Sequence, residues 1–163
     1  MIRKILIVLV VIFIAIQFFR PKKNLSAEIS QNDITLHFTV PENVQIILKK
    51  SCYDCHSNNT VYPWYNNIQP VAWWLANHVA DGKRELNFSE FASYPAKKQY
   101  RKLRTTIEQI KETEMPLNSY LWIHKDAILT SDQKITLSNW ADSLSKEIKT
   151  KNNLPDEPAE RRD

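Results

Sequence analysis

With 163 residues, the chain has room for one hydrophobic core. One glycine, two cysteines and few strand-like runs favour a helical protein and exclude a disulfide-stabilised scaffold. The net charge of +4 does not indicate a nucleic-acid-binding protein, because five of the 22 basic residues flank an apolar N-terminal run and the remaining 17 are matched by 18 acidic residues.

The chain begins with an apolar run from Ile5 to Phe19 that is interrupted only by Gln17. Such a run is a little short for a bilayer, but the basic residues on both sides can reach the headgroups and extend it. A cleaved signal peptide is the alternative, although basic residues follow the run directly and no small-x-small cleavage site stands at its end. We therefore expect residues 1–23 to form an uncleaved, single-pass transmembrane helix.

Two different segments follow this run. Residues 24–33 are polar and predict a linker. Between residues 34 and 40, Ile34, Leu36, Phe38 and Val40 alternate with polar residues, which is the period of a strand. Since no second run of this kind is available for pairing, we expect a short extended arm that lies on the domain.

The first helix of the domain is predicted from Pro41, which suits the first helical position, to about Ser51. At its end stands the sequence Cys52-Tyr53-Asp54-Cys55-His56, which is the signature for covalent haem attachment. Two thiols on one turn can form thioether bonds to the two vinyl groups of a haem, and the next residue, His56, can ligate the iron. The motif predicts one covalently bound haem c per chain.

Other uses of a Cys-x-x-Cys motif fit less well. A thioredoxin-like dithiol needs a strand-turn-helix setting, which the surrounding sequence does not suggest. A structural zinc site needs four ligands, and His78 and His124 stand far apart in the sequence. A plain disulfide remains open but gives no reason for the histidine.

Pro70 opens the next predicted helix, Val71 to about Asp81, and Gly82 is expected to close it in a left-handed conformation. This helix carries Trp73 and Trp74, which predict packing against a porphyrin or a protein core. His78 follows one turn after Trp74. It is a candidate distal iron ligand, although a structural role is the alternative.

An amphipathic helix is predicted from Ala96 to about Glu112, before Met115-Pro116. Met115 is the only methionine besides Met1, and its loop position predicts a thioether ligand on the far side of the iron, with filling of a core gap as the alternative. His124, in the aromatic segment that follows, is a third candidate for that position.

The last helix is predicted from a capping box, Thr130 with Gln133, to about Lys149, and residues 151–163 predict a disordered tail. The basic run from Lys97 to Arg104 predicts a solvated helix face, or else a docking patch for an acidic redox partner.

Several short runs beyond the cysteine motif are specific to one protein family. They are Ser57-Asn58-Asn59-Thr60, Tyr62-Pro63-Trp64-Tyr65, Ile68-Gln69-Pro70-Val71, Trp73-Trp74-Leu75, His78, Gly82, Leu86-Asn87-Phe88-Ser89 and Met115-Pro116. With these runs, residues 35–148 resemble the bacterial haem-binding domain family. The resemblance implies c-type haem binding by Cys52, Cys55 and His56. Members of that family stand alone behind one membrane helix or are joined to cytochrome c peroxidase modules.

Together these features predict an all-α, cytochrome c-like domain over residues 34–150, built around a covalent haem. Because haem is attached to such motifs outside the bacterial cytoplasmic membrane, we expect a periplasmic domain on an inner-membrane anchor. The predicted function is one-electron transfer to a redox partner protein or a peroxidase module, without catalysis by the chain itself. The alternatives are a peroxidase-type or peroxidase-accessory haem protein with an open distal site, and a haem-based ligand sensor.

Overall fold

A computed structural model describes residues 1–155 of the chain, which form helices and no strand. The α-helices are α1 (Ile2–Ile16), α2 (Ile34–His37), α3 (Glu42–Ser51), α4 (Tyr53–His56), α5 (Val71–Glu85), α6 (Ala96–Lys111), α7 (Asn118–Leu121) and α8 (Ser131–Lys151). Short 3-10 helices span Trp64–Asn67, Phe88–Ser93 and Lys125–Ala127. The predicted all-α class is confirmed. The predicted tail beyond residue 155 lies outside the described residues.

The predicted extended arm is wrong, since residues 34–37 form the single helical turn α2. The Asp33 carboxylate accepts hydrogen bonds from the Thr35 backbone N–H at 2.9 Å and from its hydroxyl at 2.7 Å. This N-cap stabilises a helical turn where the alternation of apolar residues suggested a strand. Ile34 and Val40 are nevertheless both buried.

The predicted transmembrane helix is not found. The N-terminal run does form a helix, but α1 has 15 residues, fewer than the roughly 20 that a bilayer span requires. Within residues 1–155, no helix is both long enough and apolar enough to cross a membrane.

The chain forms two compact units, of which the first combines Met1–Glu28 with Tyr53–Asn87. In this unit α5 packs against α4 and against the 3-10 helix Trp64–Asn67. The end of α1 is joined to the start of α5 through Gln69, which is 1% exposed. Its side-chain amide donates to the Phe19 carbonyl at 2.8 Å, and its backbone N–H donates to the Gln17 side chain at 2.9 Å.

The second unit combines Ile29–Cys52 with the described residues from 88 to 155. Its main contact is between α6 and α8, and α3 also packs against α8. Both long helices bury one apolar face; the buried apolar residues are Leu103, Ile107 and Ile110 on α6 and Leu137, Trp140, Ala141, Leu144 and Ile148 on α8. The predicted capping box of α8 is present, with Thr130 and Gln133 bonded to each other's backbone.

Candidate functional site

The cysteine motif lies where α3 ends and α4 begins. Cys52 is the C-cap of α3, and its backbone N–H donates to the Leu48 carbonyl at 2.9 Å. The Cys52 backbone has φ of −129° and ψ of −42°, a non-helical conformation at which α3 ends. Cys55 and His56 lie on the following helical turn, α4. Cys52 belongs to the second unit, and Cys55 and His56 belong to the first.

The His56 ring is held by the end of α5. Its Nδ1 lies 2.9 Å from the Leu86 carbonyl oxygen. Since a carbonyl can only accept, Nδ1 carries the proton, and the lone pair of the neutral ring is on Nε2. A histidine that ligates a metal through Nε2 characteristically donates its other N–H in this way, which fixes the tautomer and the orientation of the ring.

Gly82 lies against the backbone of the motif. A Cβ atom at this position would come within 2.6 Å of the Cys55 carbonyl oxygen and 2.9 Å of the Cys55 Cβ atom. The predicted left-handed cap at Gly82 is wrong, because its φ is not positive and α5 continues to Glu85. The glycine instead allows α5 to approach α4 more closely than any other residue type would permit.

A polar network fixes the loop that follows the motif. Thr60 Oγ1 donates to the Asp54 carbonyl at 2.6 Å, and Ser57 Oγ donates to the Tyr53 carbonyl at 2.7 Å. Asn24, from the segment predicted to be a linker, donates through its side chain to the Ser57 carbonyl at 2.9 Å and to Thr60 Oγ1 at 3.0 Å. Because Ser57 and Thr60 are buried, their bonds also satisfy groups that water does not reach.

Both cysteines are thiols rather than a disulfide. Burial raises the pKa of the Cys55 thiol from 9.0 to about 11, and the neighbouring Asp54 carboxylate adds to the rise. At neutral pH this thiol is therefore protonated, unlike the low-pKa nucleophilic cysteine of a disulfide oxidoreductase.

The three candidate distal ligands occupy different elements. His78 belongs to the first unit, on α5, where its Nδ1 lies 2.9 Å from the Trp74 carbonyl oxygen and its ring 4.2 Å from the Trp74 ring. His124 belongs to the second unit and stacks on Tyr120 at 4.2 Å between ring centroids. Met115, also in the second unit, is half-buried and follows the turn that ends α6.

Three contributors to this site were missed in the sequence: the Leu86 carbonyl, the close approach at Gly82, and Asn24. A carbonyl oxygen has no sequence signal, since every residue has one. Asn24 lies more than 30 residues from its partners Ser57 and Thr60, so no local pattern connects them. The sequence shows the single glycine, but its role depends on how α4 and α5 pack.

The donor set of the motif fits a covalently bound haem. It offers two thiols separated by two residues and, at the next position, an imidazole whose Nε2 carries the lone pair. A metal site made only of side chains would require more donors in one place. Within residues 1–155, no cluster of three or more His, Cys, Asp or Glu side chains is placed to hold a metal ion.

Comparison with protein families supports this assignment of a cofactor. The profile of a family described as "Haem-binding domain" matches residues 11–143, which is most of the chain. Comparisons with the curated proteins and with the solved structures gave no match.

Proposed function

Because the chain belongs to the haem-binding domain family, we propose that it holds one haem c through thioether bonds to Cys52 and Cys55, with His56 as the proximal ligand. The observation that carries the proposal is the hydrogen bond from His56 Nδ1 to the Leu86 carbonyl at 2.9 Å, which assigns the lone pair to Nε2. The motif supplies the two thiols at the spacing that attachment requires.

We propose Met115 as the distal ligand. Its support is chemical, since a thioether stabilises ferrous iron and raises the reduction potential. Half-burial of Met115 suits a ligand that must be shielded from water. His78 and His124 are the competing donors, and both have rings packed against aromatic neighbours.

The function that follows is one-electron transfer. A bound haem supplies an iron that changes between the ferric and ferrous states. The chain contributes the two ligands, the protonated Nδ1 that keeps His56 oriented, and the polar loop network that restrains the motif backbone. Restraining the ligands reduces the rearrangement that accompanies a change of iron charge, which is the protein's part in electron transfer.

We propose that the protein acts at the periplasmic side of the cytoplasmic membrane, where haem is attached to motifs of this kind. The exposed apolar side chains of α1 support membrane association. The basic face of α6 is the proposed surface for an acidic redox partner; Lys97 and Arg101 are exposed on it, and Arg104 pairs with Asp142 at 2.7 Å. A fusion to alkaline phosphatase, which is active only outside the cytoplasm, tests the location.

Attachment is tested by the mass of the chain expressed with and without a cytochrome c maturation system. The expected result is a gain of one haem that survives denaturation and requires maturation. Replacement of both Cys52 and Cys55 by alanine abolishes the gain, whereas His56→Ala retains covalent haem with altered absorption. A chain that gains no haem under maturation would falsify the proposal.

The distal ligand is tested by the near-infrared spectrum of the ferric protein. The sulfur-to-iron band is expected in the wild type and in His78→Ala and His124→Ala, and is expected to be lost in Met115→Ala. If His78→Ala alone changes the spectrum, His78 is the ligand. A high-spin wild type that reacts rapidly with peroxide would support the peroxidase alternative and exclude the electron carrier.

A further inference from the structure

A second site lies within the first unit, where the chain after α1 crosses α5. It is a cavity of about 620 Å³, a volume sufficient for a small organic ligand. One wall is formed by residues 22–26, another by α5, and Asn58 and Tyr62 complete the lining. Neither Cys55 nor His56 lines it, so the cavity is separate from the motif that binds haem.

The charge of the lining has one sign. The lining contains three lysines, Lys22, Lys23 and Lys83. Among residues 1–155, no acidic residue lines the cavity. Asn24, Asn58 and Ser26 add uncharged polar side chains to the lining. Three ammonium groups around one cavity favour the binding of an anion among them. A phosphate group fits because its several oxygens accept hydrogen bonds from different directions.

The opposite side of the cavity is apolar, with Leu25 on the chain segment and Ala76, Val79 and Ala80 on α5. Val79 is 6% exposed, so this part of the wall is continuous with the packed interior of the unit. A ligand that satisfies both sides has an anionic head and an apolar body. Inorganic phosphate would satisfy only the lysine side.

The walls are held in place by hydrogen bonds. The Asn24 backbone N–H donates to the Tyr62 hydroxyl at 2.7 Å, and the Thr60 N–H donates to the Asn24 carbonyl at 3.1 Å. Lys83 Nζ donates to Asn24 Oδ1 at 2.6 Å, and Lys23 Nζ lies 5.4 Å from the centre of the Tyr62 ring. Two of the three lysines are thus oriented by neighbours that also line the cavity, which lowers the entropy lost when a ligand binds.

We propose that this cavity binds the phosphate group of an anionic phospholipid. The phosphate lies among Lys22, Lys23 and Lys83, and the glycerol and the first methylene groups lie against Leu25 and Val79. The position of the cavity, directly after the exposed apolar helix α1, favours a lipid over a soluble phosphate ester as the source. The site is independent of the proposed electron transfer.

The test is calorimetric titration of the haem-loaded full chain in a neutral detergent, so that the haem propionates are already in place. The probes are monomeric dihexanoyl phosphatidylglycerol, its phosphatidylcholine counterpart, sn-glycerol 3-phosphate and inorganic phosphate. Lys22→Gln/Lys23→Gln and Lys83→Gln are compared with the matched variant Lys49→Gln/Lys111→Gln, whose lysines are exposed outside the cavity. Circular dichroism establishes that each variant is folded.

Saturable binding of phosphatidylglycerol is expected, weakened roughly tenfold or more by each cavity variant, because each removes at least one charge-assisted hydrogen bond, and unchanged in the matched variant. Competition by inorganic phosphate would support a phosphate subsite. If glycerol phosphate binds as tightly as the phospholipid, the lipid source is wrong. Absence of saturable binding of every phosphate probe, equal binding of phosphatidylcholine, or equal weakening in the matched variant would overturn the proposal.

Discussion

Gly82 is a residue at which a single added carbon would collide with the backbone of the motif. Alanine is the better helix former by about 1 kcal/mol, so Gly82→Ala would stabilise an isolated α5. In the folded chain, however, its Cβ would lie 2.6 Å from the Cys55 carbonyl oxygen, and either α4 or α5 must shift. We expect a net loss of about 1–3 kcal/mol, measured by thermal unfolding, together with fewer haems per chain.

The matched control is Asn77→Ala, which introduces the same side chain at an exposed position of the same helix. This variant is expected to change the free energy of unfolding by no more than about 0.5 kcal/mol, as surface substitutions usually do, and to bind as much haem as the wild type. If Gly82→Ala unfolds at a higher temperature than the wild type and binds as many haems per chain, the close approach of α4 and α5 has no structural role.

Thr113 ends α6 in a conformation that β-branched residues rarely adopt, with φ of +62°. The Glu114 N–H donates to the Gln109 carbonyl at 2.9 Å and the Thr113 N–H to the Ile110 carbonyl at 3.3 Å, which is the Schellman pattern. Glycine adopts this conformation without strain, so Thr113→Gly is expected to raise the free energy of unfolding by about 0.5–1 kcal/mol.

Denaturant unfolding measures the effect, and Thr106→Gly, inside the same helix, should lower stability by a comparable amount. A loss of stability in both variants would mean that the left-handed conformation imposes no strain at Thr113.

At the scale of single residues, features that depend on spacing along the chain are easier to predict than backbone conformations. The motif and the capping box were recognised because each depends on spacing along the chain, and the capping box is confirmed. The conformations of Gly82 and Thr113 were not recognised. A glycine in a sequence permits a positive φ but does not require it, and among residues 1–155 the two positive φ values occur at Thr113 and Asn153 rather than at the glycine.

Among the helices, α6 and α8 are joined at the surface through Asp142. Its carboxylate lies 2.7 Å from Arg104 on α6 and 2.6 Å from Lys146 on α8. The hydrogen bond from Lys146, reinforced by both positive charges and opposed by partial burial, lowers the pKa of Asp142 below its usual 3.8. A lowered pKa means that the folded state favours the ionised form, so the stabilisation is present above pH 3.8 and is lost as the pH falls through the folded-state value.

Asp142→Asn is therefore expected to cost at most about 1 kcal/mol at pH 7, since the pair is partly exposed, and progressively less in acid. Denaturant unfolding at a series of pH values measures the difference between variant and wild type, and added salt should reduce it. Glu147→Gln removes the same charge from an exposed position of α8 and serves as the comparison. A difference that stays constant from pH 7 to pH 2 would assign the effect to packing rather than to charge.

The long helices were predictable because several signals agree along each of them. In α3, α6 and α8, apolar spacing and N-terminal signals gave bounds within two residues of the observed ones. In α2 the signals conflict, and the Asp33 cap determines the structure over a four-residue segment. Gly82 predicts that α5 ends at about Asp81, but the helix continues for four more residues, to Glu85.

Over the whole molecule, the contacts that could not be predicted join segments distant in sequence. Asn24 bonds to residues 33 and 36 positions away, and Trp140 Nε1 donates to the Thr39 carbonyl across 101 positions. Hydrophobic period and cap residues report on the nearest turns only. The composition of the first unit, which takes one segment from before α2 and another from after α3, is likewise a property of the fold rather than of any local run.

Gln69 tests how such a distant contact restrains the N-terminal segment. Its buried side chain donates to the Phe19 carbonyl at 2.8 Å and accepts from the Trp73 N–H at 3.3 Å. Gln69→Ala leaves both backbone groups without these bonds, at a cost of about 1–3 kcal/mol. The chain after Phe19 should then open more often, and trypsin should cleave after Lys22 or Lys23 roughly tenfold faster.

The control is Gln45→Ala, which removes a side-chain hydrogen bond to the Val40 carbonyl in the second unit and should leave the cleavage rate unchanged. Equal cleavage rates in wild type and Gln69→Ala would mean that other contacts, such as the bond from Trp73 Nε1 to the Phe19 carbonyl, are sufficient to hold the segment.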